Sequence, residues 1–124
     1  GTNDRQYNNL ESFYTNINDT IKTIKNYGKD LIIMACIPAS IENEKNFRIH
    51  MEDIHNTLRY ISCENKIPFI SVYNLFIDYC SNKGITIDSL LSDGLHPNDD
   101  GYEVMFKLIS NAMGIALKRP NATW

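Results

Sequence analysis

The residues best suited to chemistry lie in the run Ser92-Asp93-Gly94-Leu95-His96-Pro97-Asn98-Asp99-Asp100-Gly101-Tyr102. Asp93 precedes His96 by three positions on a segment that Gly94 and Pro97 shape into a tight loop, so its carboxylate can meet an imidazole nitrogen. Such a pairing fixes the tautomer: the carboxylate holds Nδ1–H and leaves Nε2 free to accept a proton from a nucleophile. The same spacing also fits an Asp that caps a turn and a His packed at a helix start. A second segment, Gly1-Thr2-Asn3-Asp4, opens the chain and offers a side-chain amide at Asn3.

The elements that must position these residues are legible in the hydrophobic spacing. Leu10, Tyr14, Ile17, Ile21 and Ile24 recur at helical intervals, with Asn8 or Asn9 available as a cap and Gly28 just past the end. Leu31 to Ile37 is a continuous apolar run between Asp30 and Pro38, the pattern of a strand buried on both faces. Phe47, Met51, Ile54, Leu58 and Ile61 repeat the helical rhythm, and Phe69 to Tyr73 reads as a short strand entered through Pro68. Residues 74–82 suit a brief helix or turn, and Gly84 to Ser92 a loop with one more short element. A last helix should start near Asn98, with Tyr102, Met105, Phe106, Ile109, Ala112 and Met113 as its apolar stripe, before an irregular tail over 118–124.

Strands alternating with helices imply βαβ units: a parallel sheet with helices on both faces. Active sites in such sheets gather at the carboxyl ends of the strands, where the Asp93–His96 loop falls. Two good strands are too few to bury an apolar strand, because its backbone groups need partners on both edges. Further strands are therefore expected on the N-terminal side.

Taken together, Gly1-x-Asn3-Asp4 and Asp93-x-x-His96-Pro97 before the last helix resemble two sequence blocks of the SGNH (GDSL-type) ester hydrolase family, in the family's order. The resemblance implies a flavodoxin-like three-layer α/β/α sandwich around a parallel sheet, of which this chain supplies the C-terminal strands and helices. It implies that Asp93 and His96 are the acid and base of a Ser-His-Asp triad and that Asn3 donates to the oxyanion. Members also carry an upstream Gly-Asp-Ser block with the nucleophile and a block with an oxyanion-hole Gly, and neither occurs here. None of Ser12, Ser40, Ser62, Ser71, Ser81, Ser89, Ser92 and Ser110 follows a Gly-Asp pair. The chain thus reads as the C-terminal part, residues 1–124, of a single domain of about 200 residues, with the rest supplied by the same or another polypeptide.

The chemistry so implied is ester hydrolysis, on short-chain or acetyl esters of carbohydrates by analogy with bacterial members, without metal or organic cofactor. An acyltransferase with the same triad is one alternative. A non-catalytic binding module is another, because the chain lacks the family nucleophile. Tyr7 and Tyr73 follow predicted strand ends and could flank a substrate. Ser40, just beyond the first strand, could line the pocket, although a serine there more simply caps a turn or helix.

Other polar residues have simpler readings. His50 and His55, five apart on a helix, point in different directions and make no metal pair, so they read as surface or rim histidines. Glu42, Glu44, Glu52 and Asp53 suit a solvated helix face. Cys36, Cys63 and Cys80 match no zinc spacing and read as small core hydrophobes in a reducing compartment. Composition agrees with a globular domain, at 124 residues, 43% hydrophobic and 22% charged. Scattered basic residues and a net charge of −3 give no footprint for nucleic acid or an anionic membrane. The longest apolar stretch is far shorter than the about 20 residues that cross a bilayer.

Overall fold

The structure, a computed structural model, describes Arg5 and residues 9–118. Asn9 opens the first helix, α1 (Leu10–Asn26), by accepting the Ser12 N–H at 2.8 Å. After Gly28, in the left-handed region at φ 71°, come β1 (Ile33–Ala35) and the short helix α2 (Ile41–Glu44). Helix α3 (Met51–Asn65) leads to β2 (Phe69–Ser71). Helix α4 (Val72–Lys83), a 3₁₀ turn (Ile87–Leu90) and α5 (Asp99–Lys118) complete the chain. Only Phe69–Ser71 of the predicted second strand is extended. The Ser71 hydroxyl accepts the Asn74 N–H at 3.0 Å and starts α4 at Val72, so Tyr73 lies in a helix.

β1 and β2 run parallel, Ile33 opposite Phe69 and Ala35 opposite Ser71. Side chains alternate across the pair as a strand requires. Phe69, Ala35 and Ile33 pack with Phe13, Met51, Ile54 and Leu58 of α1 and α3. Ile70 and Met34 face the other way, onto Phe76, Leu90, Val104 and Ala112. The result is three layers, helix–sheet–helix, as expected. Phe69, Ile70 and Phe76 are fully buried, and each such side chain contributes about 1.5–3 kcal/mol.

Several expectations about burial are corrected. Ile33 and Met34 are only half-buried, because the described residues give β1 one neighbouring strand and leave its other edge open. The outer edge continues into an apolar groove of about 280 Å³ between β1 and α1, lined by Phe13, Ile17, Ile21, Ile33 and Met34 among others. Of the stripe expected for α5, Ala112 is buried and Met105, Ile109 and Met113 pack on the core, whereas Tyr102 and Phe106 are 57% and 71% exposed and Gly101 and Val104 are buried in their place. A Cβ at Gly101 would collide with the Leu90 carbonyl, and this close approach sets the helix rotation that turns residues 102 and 106 outward. Of the cysteines only Cys80 is core, and burial pushes its thiol up; Cys36 and Cys63 are exposed on the open side of β1 and the outer face of α3. The predicted tail loses Lys118 to α5, and 119–124 lie outside the described residues.

His55 is buried, not a rim residue. Its Nε2 lies 2.7 Å from the Ser71 hydroxyl and its Nδ1 3.1 Å from Asn56 Oδ1, with the Phe69 and Tyr73 rings on either side. One neutral tautomer satisfies every partner: Nδ1–H donates to Asn56, and Ser71 O–H donates to Nε2 while accepting Asn74 N–H. His55→Ala should cost about 2–4 kcal/mol in urea unfolding, through the cavity and the stranded Ser71 hydroxyl. A loss below about 0.5 kcal/mol would contradict this packing role.

Candidate active site

The Asp93–His96 loop is closed at its base before it does anything else. Leu91 bridges Pro97, and the Ser92 N–H donates to the His96 carbonyl at 2.8 Å. Below it the Asn98 N–H reaches the Leu90 carbonyl at 2.9 Å, and the Asn98 side chain accepts the Gly101 N–H at 2.9 Å to start α5 as expected. Gly94 sits at φ 78°, where other residues are strained, and a Cβ there would come within 2.5 Å of Asn43 Nδ2.

Within this loop Asp93 uses both oxygens. Oδ1 accepts the Leu95 and His96 N–H groups at 2.9 and 2.7 Å, and Oδ2 lies 2.7 Å from His96 Nδ1. The His96 N–H, the imidazole and the Leu95 N–H together hold the Asp93 carboxyl well below the usual carboxylate range. An ionised Asp93 therefore holds Nδ1–H, and Nε2 has no hydrogen-bond partner among the described residues. The side chains of His96 and Asp93 are 65% and 54% exposed, so solvent screens the pair and its value to stability is small. What the arrangement provides is an oriented base open to solvent.

Helix α2 braces the loop from the side. Ser40 is buried and caps α2 by accepting the Asn43 N–H at 3.1 Å, while its own N–H donates to the Gly94 carbonyl at 2.8 Å. Its hydroxyl thus serves the cap rather than lining the cleft. Asn43 Nδ2 reaches the Asp93 carbonyl at 3.4 Å. Beside Asp93 lies an open cleft of about 280 Å³ lined by Asn43, Asn46, Phe47, Asp93 and Leu95.

Tyr73 belongs to a different cleft, of about 320 Å³, with His50, Lys45 and Ile77 on the other side of α2. Burial, then the charges of Glu52, Glu44 and Asp53, push its phenol up. Neither Asp93 nor His96 lines that cleft. Asn3 and Tyr7 lie outside the described residues. Among the described residues no group of three or more His, Cys, Asp or Glu could hold a metal ion, and no helix is long and apolar enough to cross a membrane.

Glu44 does not belong to the solvated face expected for it. Glu42, Glu52 and Asp53 are exposed as expected, but Glu44 accepts the Ala39 and Met51 N–H groups at 2.8 and 2.9 Å and pairs with buried Arg5 at 2.6 Å. Partial burial raises its pKa, yet the Met51 N–H, the Arg5 side chain and the Ala39 N–H outweigh this and bring it below the usual value. No local spacing announces that role, since Arg5 is 39 residues away.

A crystal structure of a proposed acylhydrolase from Bacteroides fragilis is similar, with 25% identity, a TM-score of 0.66, and coverage of 89% of this chain and 54% of that one. The esterase domain of the ORF1 protein of the zebrafish ZfL2-1 retrotransposon superposes at TM-score 0.66 with 24% identity, covering 93% of this chain and 65% of its own. A GDSL-like lipase from Bacteroides thetaiotaomicron gives TM-score 0.67 at 22% identity, with 94% and 60% covered. The chain thus spans between 54% and 65% of the length of these solved chains. No curated protein matches the chain. The GDSL-like Lipase/Acylhydrolase family model matches residues 1–109, from the Asn3 segment through the Asp93–His96 loop into α5. The chain belongs to that family of GDSL-like lipases and acylhydrolases.

Proposed function

We propose that this chain carries the acid–base part of an ester-hydrolase site, with His96 as general base, Asp93 as its orienting carboxylate and Asn3 as an oxyanion donor. The supporting observation is the 2.7 Å contact of Asp93 Oδ2 with His96 Nδ1, in a loop whose free imidazole edge is open to solvent. The nucleophilic serine comes from a segment outside this chain. In this reading that segment adds strands to the edge of β1 that the described residues leave open and covers the apolar groove beside it.

In this reading catalysis proceeds by acyl transfer through the serine. The serine oxygen attacks the ester carbonyl while its proton passes to His96 Nε2. The Asn3 amide stabilises the oxyanion, an interaction whose loss costs about 3–4 kcal/mol at the transition state. The C–O bond breaks, the departing alkoxide takes the proton from Nε2, and a water repeats the sequence to release the acid. Asn43, Asn46 and Phe47 beside Asp93 offer two amides and an aromatic ring, which suits the hydroxyl-rich alcohol of a carbohydrate acetyl or short-chain ester. No resident cofactor takes part in this scheme.

Incubation with p-nitrophenyl acetate, of the isolated chain and of the protein extended upstream, tests the reading. Hydrolysis by the extended form alone is expected. Silence in both would leave a binding module, and turnover by residues 1–124 alone would place the nucleophile within this chain. Adding a sugar acceptor and analysing products separates hydrolysis from acyl transfer.

A further inference from the structure

We infer that Arg5 and Glu44 are positioning residues that brace the Asp93–His96 loop, a role that rests on the ester-hydrolase reading above. Arg5 itself is held firmly. It is fully buried, its guanidinium stacks 3.8 Å above the Phe47 ring, and its carbonyl accepts the Ile49 N–H at 3.1 Å.

The hand-off to the base runs through one carboxylate. Arg5 Nη1 donates to both Glu44 oxygens at 2.6 and 2.8 Å, and the same oxygens receive the Ala39 and Met51 N–H groups. Ala39 is followed by Ser40, whose N–H holds the Gly94 carbonyl at 2.8 Å, and Asn43 on the same short helix reaches the Asp93 carbonyl. Arg5 and Glu44 are therefore connected through Ala39, Ser40 and Asn43 with the Asp93 and Gly94 carbonyls of the catalytic turn. Phe47 joins Arg5 to the substrate cleft as well, since its ring lines that cleft.

Stability alone explains this pair poorly. A buried ion pair is often no better than an apolar pair of the same volume, because desolvation offsets the attraction. Here Arg5 Nε and Nη2 are buried without a hydrogen-bond partner among the described residues, which adds to the cost. What an apolar substitute could not do is bind three backbone segments in fixed directions. Misplacing a catalytic group by about 1 Å costs about 100-fold in rate, so loosening this junction should appear in turnover.

The test uses the full-length protein, p-nitrophenyl acetate and the variants Arg5→Met, Arg5→Lys and Glu44→Gln. The expected result is a kcat lower by about 10- to 100-fold in Arg5→Met and Glu44→Gln, with KM within about twofold of wild type. Arg5→Lys, which keeps a cation for Glu44, should recover part of the loss. Hydrogen exchange at the Leu95 and His96 amides should quicken in Arg5→Met and Glu44→Gln. The inference is overturned by folded variants whose kcat stays within about twofold of wild type, or by Arg5→Lys no better than Arg5→Met. An inactive wild type would sink the ester-hydrolase reading. Loop exchange would then decide the clamp separately: faster in the variants supports it, unchanged overturns it. If Arg5→Met does not fold, the near-isosteric Glu44→Gln carries both readouts.

Discussion

Replacing His96 by alanine in the full-length protein is expected to lower kcat for p-nitrophenyl acetate by about 1,000-fold or more, with KM changed by no more than a few-fold. The size follows from the role. In the proposed mechanism, without Nε2 the serine has no base for its proton and the leaving alkoxide has no acid, so both halves of the reaction lose the same group. The variant should nevertheless fold, because the His96 side chain is 65% exposed and the bonds that shape the loop are made by backbone. Asp93 Oδ1 would still accept the two N–H groups, and Ser92 would still close on the carbonyl of residue 96. Unchanged melting with turnover at background is the expected combination. Turnover within about tenfold of wild type would remove His96 from the mechanism.

Asp93→Asn should come close behind, with a kcat loss of about 100- to 10,000-fold at nearly constant side-chain volume. An asparagine can keep its oxygen on the Leu95 and His96 N–H groups, so the turn survives. Its NH₂ group would then face Nδ1, which must become an acceptor. That forces the proton onto Nε2, where it blocks the base. In wild type the opposite holds across the working range. A carboxyl lowered by its bonds in the folded protein contributes stabilisation above its ordinary pKa and loses it only as pH falls through the lowered value. Asp93 therefore stays ionised from about pH 4 to 8 and should add no ionisation of its own to the pH–rate profile there. Combining Asp93→Asn with His96→Ala should lower turnover little beyond His96→Ala alone, because the two act as one unit.

How far the chain could be read in advance depends on the distance over which each signal acts. The Asp93–His96 contact spans three residues, and Gly94 and Pro97 fix the turn locally, so spacing was enough to pair them. Asn9, Gly28 and Asn98 likewise mark helix ends by local chemistry. On α5 the stripe Met105, Ile109, Ala112 and Met113 does face the core, and only Tyr102 and Phe106 depart from it, because the Leu90 carbonyl packs on Gly101, a tertiary contact that apolar spacing does not reveal. Glu44 and His55 read as surface groups in the sequence for the same reason. Their partners, Arg5 and Ser71, are 39 and 16 residues away. The continuous apolar run of β1 was legible as a strand, and its half-burial belongs to an edge that the described residues leave uncovered.

The proposal that His96 serves a serine outside residues 1–124 is tested most directly by labelling with a fluorophosphonate. In the full-length protein the reagent should modify one serine outside residues 1–124, located by peptide mass spectrometry, and His96→Ala should abolish the labelling. Modification of a serine within the chain, such as Ser40 or Ser92, or labelling that persists in His96→Ala, would contradict it.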